Sequence, residues 1–262
     1  MQHALERVPV WVDGWRRTGR LVLLLDFDGT LAPIVDRPEL ASMPPRTRRA
    51  LDRLRGMDGV EVAVVSGRGL ADVRERAAIP GIAYAGNHGM EIEGAGLHRI
   101  HPGAAAARPQ LQAVATRLDA DLAGIDGAFV EDKGLTLSIH YRLAPEHAEE
   151  VRARVHDGVA GRPELRVTEG KMVLEVRPRV EWDKGRAVLY LLDQMRPPAD
   201  APILYLGDDR TDEDAFRALR EWGPAAEGVL VADPPPAESA ATSLLRDPAE
   251  VGALFESLAE AR

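Results

Sequence analysis

The sequence predicts an α/β protein: a doubly wound, mostly parallel sheet interrupted by an inserted unit of α-β-β-α-β-β order. Three observations predict it. Short apolar runs alternate with helical segments over residues 21–86 and again over 184–261, the alternation that gives parallel pairing. Between them lie two strand pairs, turning at Lys133-Gly134 and at Glu169-Gly170-Lys171. Pro102 and Pro178 flank this middle region as breakers. The expected division is a discontinuous core, 1–102 with 178–262, and an insert over 103–177.

Taken in order, "LVLLL" (21–25) is a short apolar run before a turn, the pattern of a strand buried on both faces. "PPRTRRALDRLRG" has Pro45 near a helix start and Gly56 at its stop. "VEVAVV" (60–65) is the next strand, and Leu70, Val73 and Ala77 mark one face of the helix after it. "GIAYAG" (81–86) is a third strand. In the insert, an Ala-rich helix over 103–127 leads to the strands "AFVED" and "GLTLSIHYR". A helix in "APEHAEEVRARVHDGV" then precedes the strand pair of "ELRVTEGKMVLEVRP". The core resumes with a helix carrying Val188, Leu191, Leu192 and Met195 on one face. Strand "PILYLGDD", helix "TDEDAFRALREW", strand "GVLVAD" and a last helix follow, the last with Asp247 as N-cap, Pro248 at N1 and Glu250 at N3.

Composition narrows the function. At 262 residues, 45% hydrophobic and 29% charged, the chain can bury a sizeable core. Its net charge of -9, from 33 basic and 42 acidic residues, argues against nucleic-acid binding, which needs a basic surface. A small anionic substrate remains compatible, because a metal or local cluster reverses the sign inside one pocket. There are no cysteines, so disulfides, thiolate nucleophiles and Cys-zinc sites are excluded. The run Leu21–Leu25 is far short of the roughly 20 residues that span a bilayer, and the N-terminus lacks the apolar stretch of a signal peptide. No membrane partner and a cytoplasmic location are the expectation; oligomeric state is left open, with a monomer as default.

The chemistry concentrates at strand ends. In "LVLLLDFDGTLAP", Asp26 and Asp28 sit two residues apart, so both emerge on one face if the backbone stays extended. Carboxyl ends of parallel strands open onto the ligand crevice, and two like charges there need a cation or a shared proton. The plainer reading is a turn cap, for which one aspartate suffices. A second acidic cluster, "YLGDDRTDED", places Asp208, Asp209, Asp212, Glu213 and Asp214 after another apolar strand, oxygen ligands suited to a hard cation. An EF-hand is excluded because Arg210 occupies the third position. Glu213 and Asp214 read as the usual acidic first turn of a helix. Ser66, with the amides of Gly67 and Arg68, either holds a phosphate oxygen or caps a helix. Lys184, opening a helix in "EWDKG", either reaches the crevice or is solvated.

These four stretches in this order, D-F-D-G-T, S-G-R, D-K-G and G-D-D-x-T-D, resemble the haloacid-dehalogenase-like phosphatases over the whole core. The resemblance implies a Rossmann-like core and a division of labour. Asp26 would be the nucleophile that forms an aspartyl phosphate. Asp28 would be the acid that protonates the leaving oxygen and then the base that activates water. Mg²⁺ would be held by Asp26, the main-chain carbonyl of Asp28 and Asp208. Ser66 and Lys184 would bind the phosphoryl oxygens, and Asp209 and Asp212 would act as indirect or water-mediated partners.

The insert narrows the resemblance. "VEDKGLTLSIHYR", "EGKMVLEVRP", "WDKG" and "GDDRTDED", with "GNHGME" (86–91), are similar to the trehalose-6-phosphate phosphatases over both domains. That implies release of phosphate from trehalose 6-phosphate, the final step of trehalose biosynthesis. Glu131, Lys133, Lys171 and Glu175 would contact sugar hydroxyls, with Arg142 in support, among polar cap residues that also include His140 and Arg177. Asn87, His88 and Gly89 would lie at the junction of core and cap and contact the substrate. A histidine in an N-H-G turn also commonly orders backbone. The alternative activity is that of a related cap-bearing sugar phosphatase acting on sucrose 6-phosphate or another glycosyl phosphate. A non-catalytic sugar-phosphate sensor is the reading from a different class; such a protein would be expected to lack Asp26 or Asp28.

Overall fold

The computed structural model describes residues 1–35, 37–170 and 172–262. The chain opens with β1 (Gln2–His3), α1 (Ala4–Thr18) and β2 (Leu21–Leu25), then α2 (Pro45–Arg55), β3 (Val60–Val65), α3 (Leu70–Ala77) and β4 (Ala83–Gly86). Strands β5 (Glu91–Gly94) and β6 (Leu97–Ile100) precede α4 (Pro102–Leu122), β7 (Phe129–Asp132), β8 (Leu137–His140), α5 (Ala148–Val159), β9 (Leu165–Gly170) and β10 (Val173–Pro178). The chain ends with α6 (Lys184–Met195), β11 (Ile203–Gly207), α7 (Asp212–Trp222), β12 (Ala226–Val231), β13 (Ser243–Leu245) and α8 (Pro248–Ala261). Two compact units result: Met1–Gly67 with Ala71–His98 and Trp182–Arg262, and Arg68–Leu70 with Arg99–Glu181. Among the described residues no helix is long and apolar enough to cross a membrane.

The first unit is built on a nine-stranded sheet in the order β1-β13-β12-β11-β2-β3-β4-β5-β6. From β1 to β4 every neighbouring pair is parallel; β5 joins β4 antiparallel. β2 sits centrally because its five residues, all at 0% exposure, are apolar on both faces. Val22 and Leu24 pack with Val188, Leu191, Leu192 and Phe216 of α6 and α7. Leu21, Leu23 and Leu25 point to the opposite face. α2 and α1 both pack against α8.

Three local features go beyond the sequence expectations. α1, for which no motif argued, buries Trp11 and Trp15, and their indole N–H groups donate to Glu227 Oε1 (3.0 Å) and to the Asp58 carbonyl (3.2 Å). Strands β5 and β6 extend the sheet where no element was expected. Pro102, expected as a breaker ahead of a helix, is instead the first residue of α4, where its missing N–H costs nothing. The Asp247 carboxylate accepts from the Glu250 N–H at 2.9 Å and caps α8 as expected.

The second unit has a four-stranded antiparallel sheet in the order β7-β8-β10-β9. One face buries Leu137, Ile139, Leu174 and Val176 against Leu111, Val114 and Leu118 of α4 and Val151 and Val155 of α5. Register then fixes the composition of the opposite face. Glu131 pairs with Ser138, Ser138 with Glu175, and Glu175 with Thr168, giving one polar row across all four strands. The neighbouring row joins Phe129, His140 and Val173.

Candidate active site

The carboxylates meet because of where β2 and β11 lie. These strands are adjacent and parallel, with Leu25 opposite Leu206, so Asp26 and Asp208 both follow at the carboxyl edge. This is the topological switch point of the sheet: β3 and β4 continue on one side, β12 and β13 on the other. The Asp26 N–H donates to the Leu206 carbonyl at 2.9 Å, extending the ladder to the site. The chain then turns at Gly29, whose φ of +74° is left-handed and whose ideal Cβ would lie 2.0 Å from Asp208 Oδ2. Only glycine satisfies both conditions. The Gly29 N–H closes the loop on the Ala32 carbonyl at 2.7 Å.

Lys184, which the sequence left between crevice and solvent, is 3% exposed. It sits in the first turn of α6, whose start is capped by Asp183, and its Nζ lies 3.0 Å from Asp26 Oδ1 and 2.7 Å from Asp212 Oδ1. Asp212 is a hub of a kind the sequence did not reveal. Its Oδ1 accepts from Lys184 and from the Tyr205 hydroxyl at 2.5 Å; its Oδ2 accepts from the Asp208 and Asp209 N–H groups at 3.0 Å each. Asp212 approaches this closely because Gly207 stands below it; a Cβ there would lie 2.3 Å from Asp212 Cγ. Tyr205 was read only as part of an apolar strand. Its signal was available: a phenol in a wholly buried strand needs a partner for its hydroxyl. Asp209 is exposed and accepts from Thr211 N and Oγ1, both at 2.7 Å. Glu213 does more than decorate a helix start: it accepts from Ser239 Oγ (2.5 Å) and the Ala240 N–H (2.8 Å).

The electrostatics follow from this crowding. Asp26, Asp208 and Asp212 each present an oxygen, all within 4.8 Å of one another. Burial, with the Asp212 and Asp209 charges, pushes Asp208 up to about 8. Burial likewise raises Asp26 well above the carboxylate range despite Lys184, with Asp212 and Asp208 adding to it. Burial alone would lower Lys184, but Asp212 and Asp26 outweigh it and hold the ammonium charged. One ammonium does not neutralise three carboxylates, so the donor set fits a divalent cation with oxygen ligands. The Asp212 oxygens are already engaged by four donors, which leaves Asp26 and Asp208 as the better-placed carboxylates.

Ser66 follows β3, two residues beyond Val64, which pairs with Leu25, and is 1% exposed. Its N–H donates to the Ala85 carbonyl and its carbonyl accepts from the His88 N–H, both at 2.8 Å. Asn87 and His88 both have positive φ, 50° and 57°, unusual for non-glycine residues. The Asn87 side chain donates to Glu91 Oε1 at 2.6 Å. An ideal Cβ on Gly67 would lie 2.9 Å from His88 Cε1. The Asn87-His88-Gly89 turn therefore packs directly against the Ser66 loop.

The cap residues form a second cluster, within the second unit. On the polar sheet face, Glu131 Oε2 lies 2.8 Å from His140 Nε2, Lys133 Nζ lies 3.8 Å from Glu175, and Arg177 lies 3.5 Å from Glu175. Arg142 follows β8 in a turn, and Arg68 groups with this unit. Lys171 lies outside the described residues.

Comparison with known proteins bears on both clusters. A family model described as trehalose-phosphatase matches residues 24–247. The trehalose-phosphate phosphatase of Mycobacterium tuberculosis is 40% identical over 243 residues, 90% of this chain and 61% of that protein. A probable trehalose-phosphate phosphatase D of Arabidopsis thaliana is 36% identical over 260 residues, 92% of this chain and 68% of that one. The chain thus spans about three fifths of the mycobacterial relative's length. Among solved structures, the C-terminal domain of trehalose-6-phosphate phosphatase from C. albicans superposes with a TM-score of 0.80 at 25% identity, covering 97% of this chain and 96% of that one. With the family match running from the strand that leads into Asp26 to the cap of the last helix, the chain belongs to the trehalose-phosphatase family.

Proposed function

We propose that this chain hydrolyses trehalose 6-phosphate to trehalose and inorganic phosphate, the final step of trehalose biosynthesis, through a phosphoryl group carried on Asp26. The observation that carries the reading is the Lys184 ammonium, buried between Asp26 and Asp212, in a chain matched to the trehalose-phosphatase family across core and insert. Lys184 favours the ionised Asp26 carboxylate, whose oxygen attacks phosphorus in line. The ester P–O bond breaks, and Asp28 gives its proton to the departing sugar oxygen. Asp28 then takes a proton from water as the water oxygen attacks phosphorus, freeing phosphate and restoring Asp26. Ser66, with the Gly67 and Arg68 amides, would hold the phosphoryl oxygens, and Lys184 would offset their charge. Asp26, Asp28 and Asp208 would hold Mg²⁺, which when bound supplies positive charge against carboxylate–phosphate repulsion.

On the cap, Glu131, Lys133, Lys171, Glu175 and Arg142 would read the sugar hydroxyls. A polyol needs donors and acceptors interspersed, which alternating carboxylates and cations supply. Asn87, His88 and Gly89, in the turn that packs against Ser66, would contact the substrate from the core.

The test is phosphate release from trehalose 6-phosphate, sucrose 6-phosphate, glucose 6-phosphate and p-nitrophenyl phosphate, with Mg²⁺ or EDTA, for wild type and Asp26→Asn. Preference for trehalose 6-phosphate, lost with EDTA and in Asp26→Asn, supports the proposal. Turnover surviving either control sinks the mechanism; preference for another sugar phosphate keeps the core chemistry and replaces the substrate.

A further inference from the structure

We infer that His140 is a positioning residue for sugar recognition: it holds the Glu131 carboxylate on the polar face of the cap sheet, and Phe129 in turn holds the His140 ring. The inference rests on the reading of Glu131 as a sugar contact.

The geometry comes from strand register. Phe129 pairs directly with His140, and Glu131 pairs with Ser138, so His140 lies diagonal to Glu131 on the same face. At that spacing a long side chain reaches its diagonal neighbour. His140 Nε2 stands 2.8 Å from Glu131 Oε2, and the Phe129 ring stacks on the imidazole with centroids 4.7 Å apart and planes 18° apart. Stacking fixes the ring plane, and with it the direction of the Nε2–H bond.

Glu131 needs such a partner. It lies on β7, an edge strand of the sheet, and a glutamate carries three rotatable bonds. Unless the protein fixes them first, the cost of ordering them falls on ligand binding. Among the described residues, His140 is the hydrogen-bond partner of this carboxylate, on Oε2. A carboxylate has about four lone-pair sites, so Oε1 remains to accept from a hydroxyl. Burial raises the Glu131 pKa, but the His140 hydrogen bond and the Lys133 charge outweigh it, so the carboxylate is ionised and Nε2 donates.

The experiment is steady-state kinetics of the full chain with Mg²⁺ on trehalose 6-phosphate and p-nitrophenyl phosphate. The proteins are wild type, His140→Ala, His140→Gln, Glu131→Ala and the double variant, each with a thermal melt. The expected result is that His140→Ala lowers the ratio of kcat/KM on the sugar phosphate to that on the aryl phosphate about tenfold, through KM. His140→Gln, whose amide still donates, should recover most of it. In the Glu131→Ala background, adding His140→Ala should change the ratio less than about twofold, because the partner is already gone. Should His140→Ala not fold, His140→Leu replaces it as a non-donor of similar bulk.

An equal loss with and without Glu131, or no recovery in His140→Gln, overturns the inference. If wild type shows no preference for trehalose 6-phosphate, the reading of the cap fails and takes this inference with it. That outcome is recognised from the wild-type measurements alone.

Discussion

Replacing Asp212 by asparagine tests whether this residue organises the site or only adds to its charge. Four donors converge on it: Lys184 Nζ and Tyr205 Oη on one oxygen, two main-chain N–H groups on the other. An amide offers one oxygen and one NH₂, so in either orientation one set of donors faces another donor. If the NH₂ faces Lys184, Tyr205 can rotate its hydroxyl to accept, but Lys184 keeps only Asp26, 3.0 Å away. If it faces the main chain, two N–H groups lose their acceptor, at about 1–3 kcal/mol each. Removing one partner from a buried ion pair costs about 3–5 kcal/mol. Relief of repulsion opposes this, because the Asp212 charge is among the causes that raise both Asp208 and Asp26, but it restores no acceptor to the stranded donors.

Asp212→Asn is therefore expected to lose about 3–5 kcal/mol of stability in EDTA, measured by urea unfolding. Its kcat should fall about 100-fold or more, because Lys184 and the Asp208–Asp209 main chain lose their common anchor. A variant within about 0.5 kcal/mol of wild type that merely needs more Mg²⁺ would refute the hub and make Asp212 a direct ligand.

Other outcomes are expected on the same footing. Asp208 has a raised native pKa of about 8, so the metal-free fold retains a proton that the unfolded chain releases near pH 4. Stability should then fall as pH rises from about 4 through about 8, by up to roughly 1.4 kcal/mol per pH unit for one such group. In EDTA the Tm should drop between pH 5.5 and 8.5, Mg²⁺ should restore more at the higher pH, and Asp208→Asn should flatten the profile; a slope unchanged in Asp208→Asn contradicts the assignment. Gly29→Ala, with φ +74° and a Cβ 2.0 Å from Asp208 Oδ2, should raise the Mg²⁺ concentration for half-maximal activity about 10- to 100-fold; a titration matching wild type would show that the loop yields freely. Glu175→Ala, which leaves Lys133 and Arg177 without their shared carboxylate, should cut turnover of trehalose 6-phosphate about tenfold more than that of p-nitrophenyl phosphate. Equal losses on both substrates remove Glu175 from sugar recognition.

Much of this protein is determined locally. Apolar runs such as Leu21–Leu25 declare buried strands because a strand covered on both faces has no polar side to show. Helix ends such as Asp247-Pro248 are legible because capping depends on neighbours within one turn. The acidic residues beyond those strands are likewise readable, since a parallel sheet brings its carboxyl ends to one edge. What stayed illegible depends on register and close approach between segments far apart in sequence. Tyr205 looked like one more core residue until the 2.5 Å contact with Asp212 appeared. Lys184, an ordinary surface lysine by spacing, becomes a buried cation only when α6 packs beside β2 and α7. His140 and Glu131 are nine residues apart in sequence, and only the β7–β8 register sets them side by side. Short-range preferences select the elements. The pairing of strands, which trades the cost of closing long loops for burial of whole faces, decides which of their side chains meet.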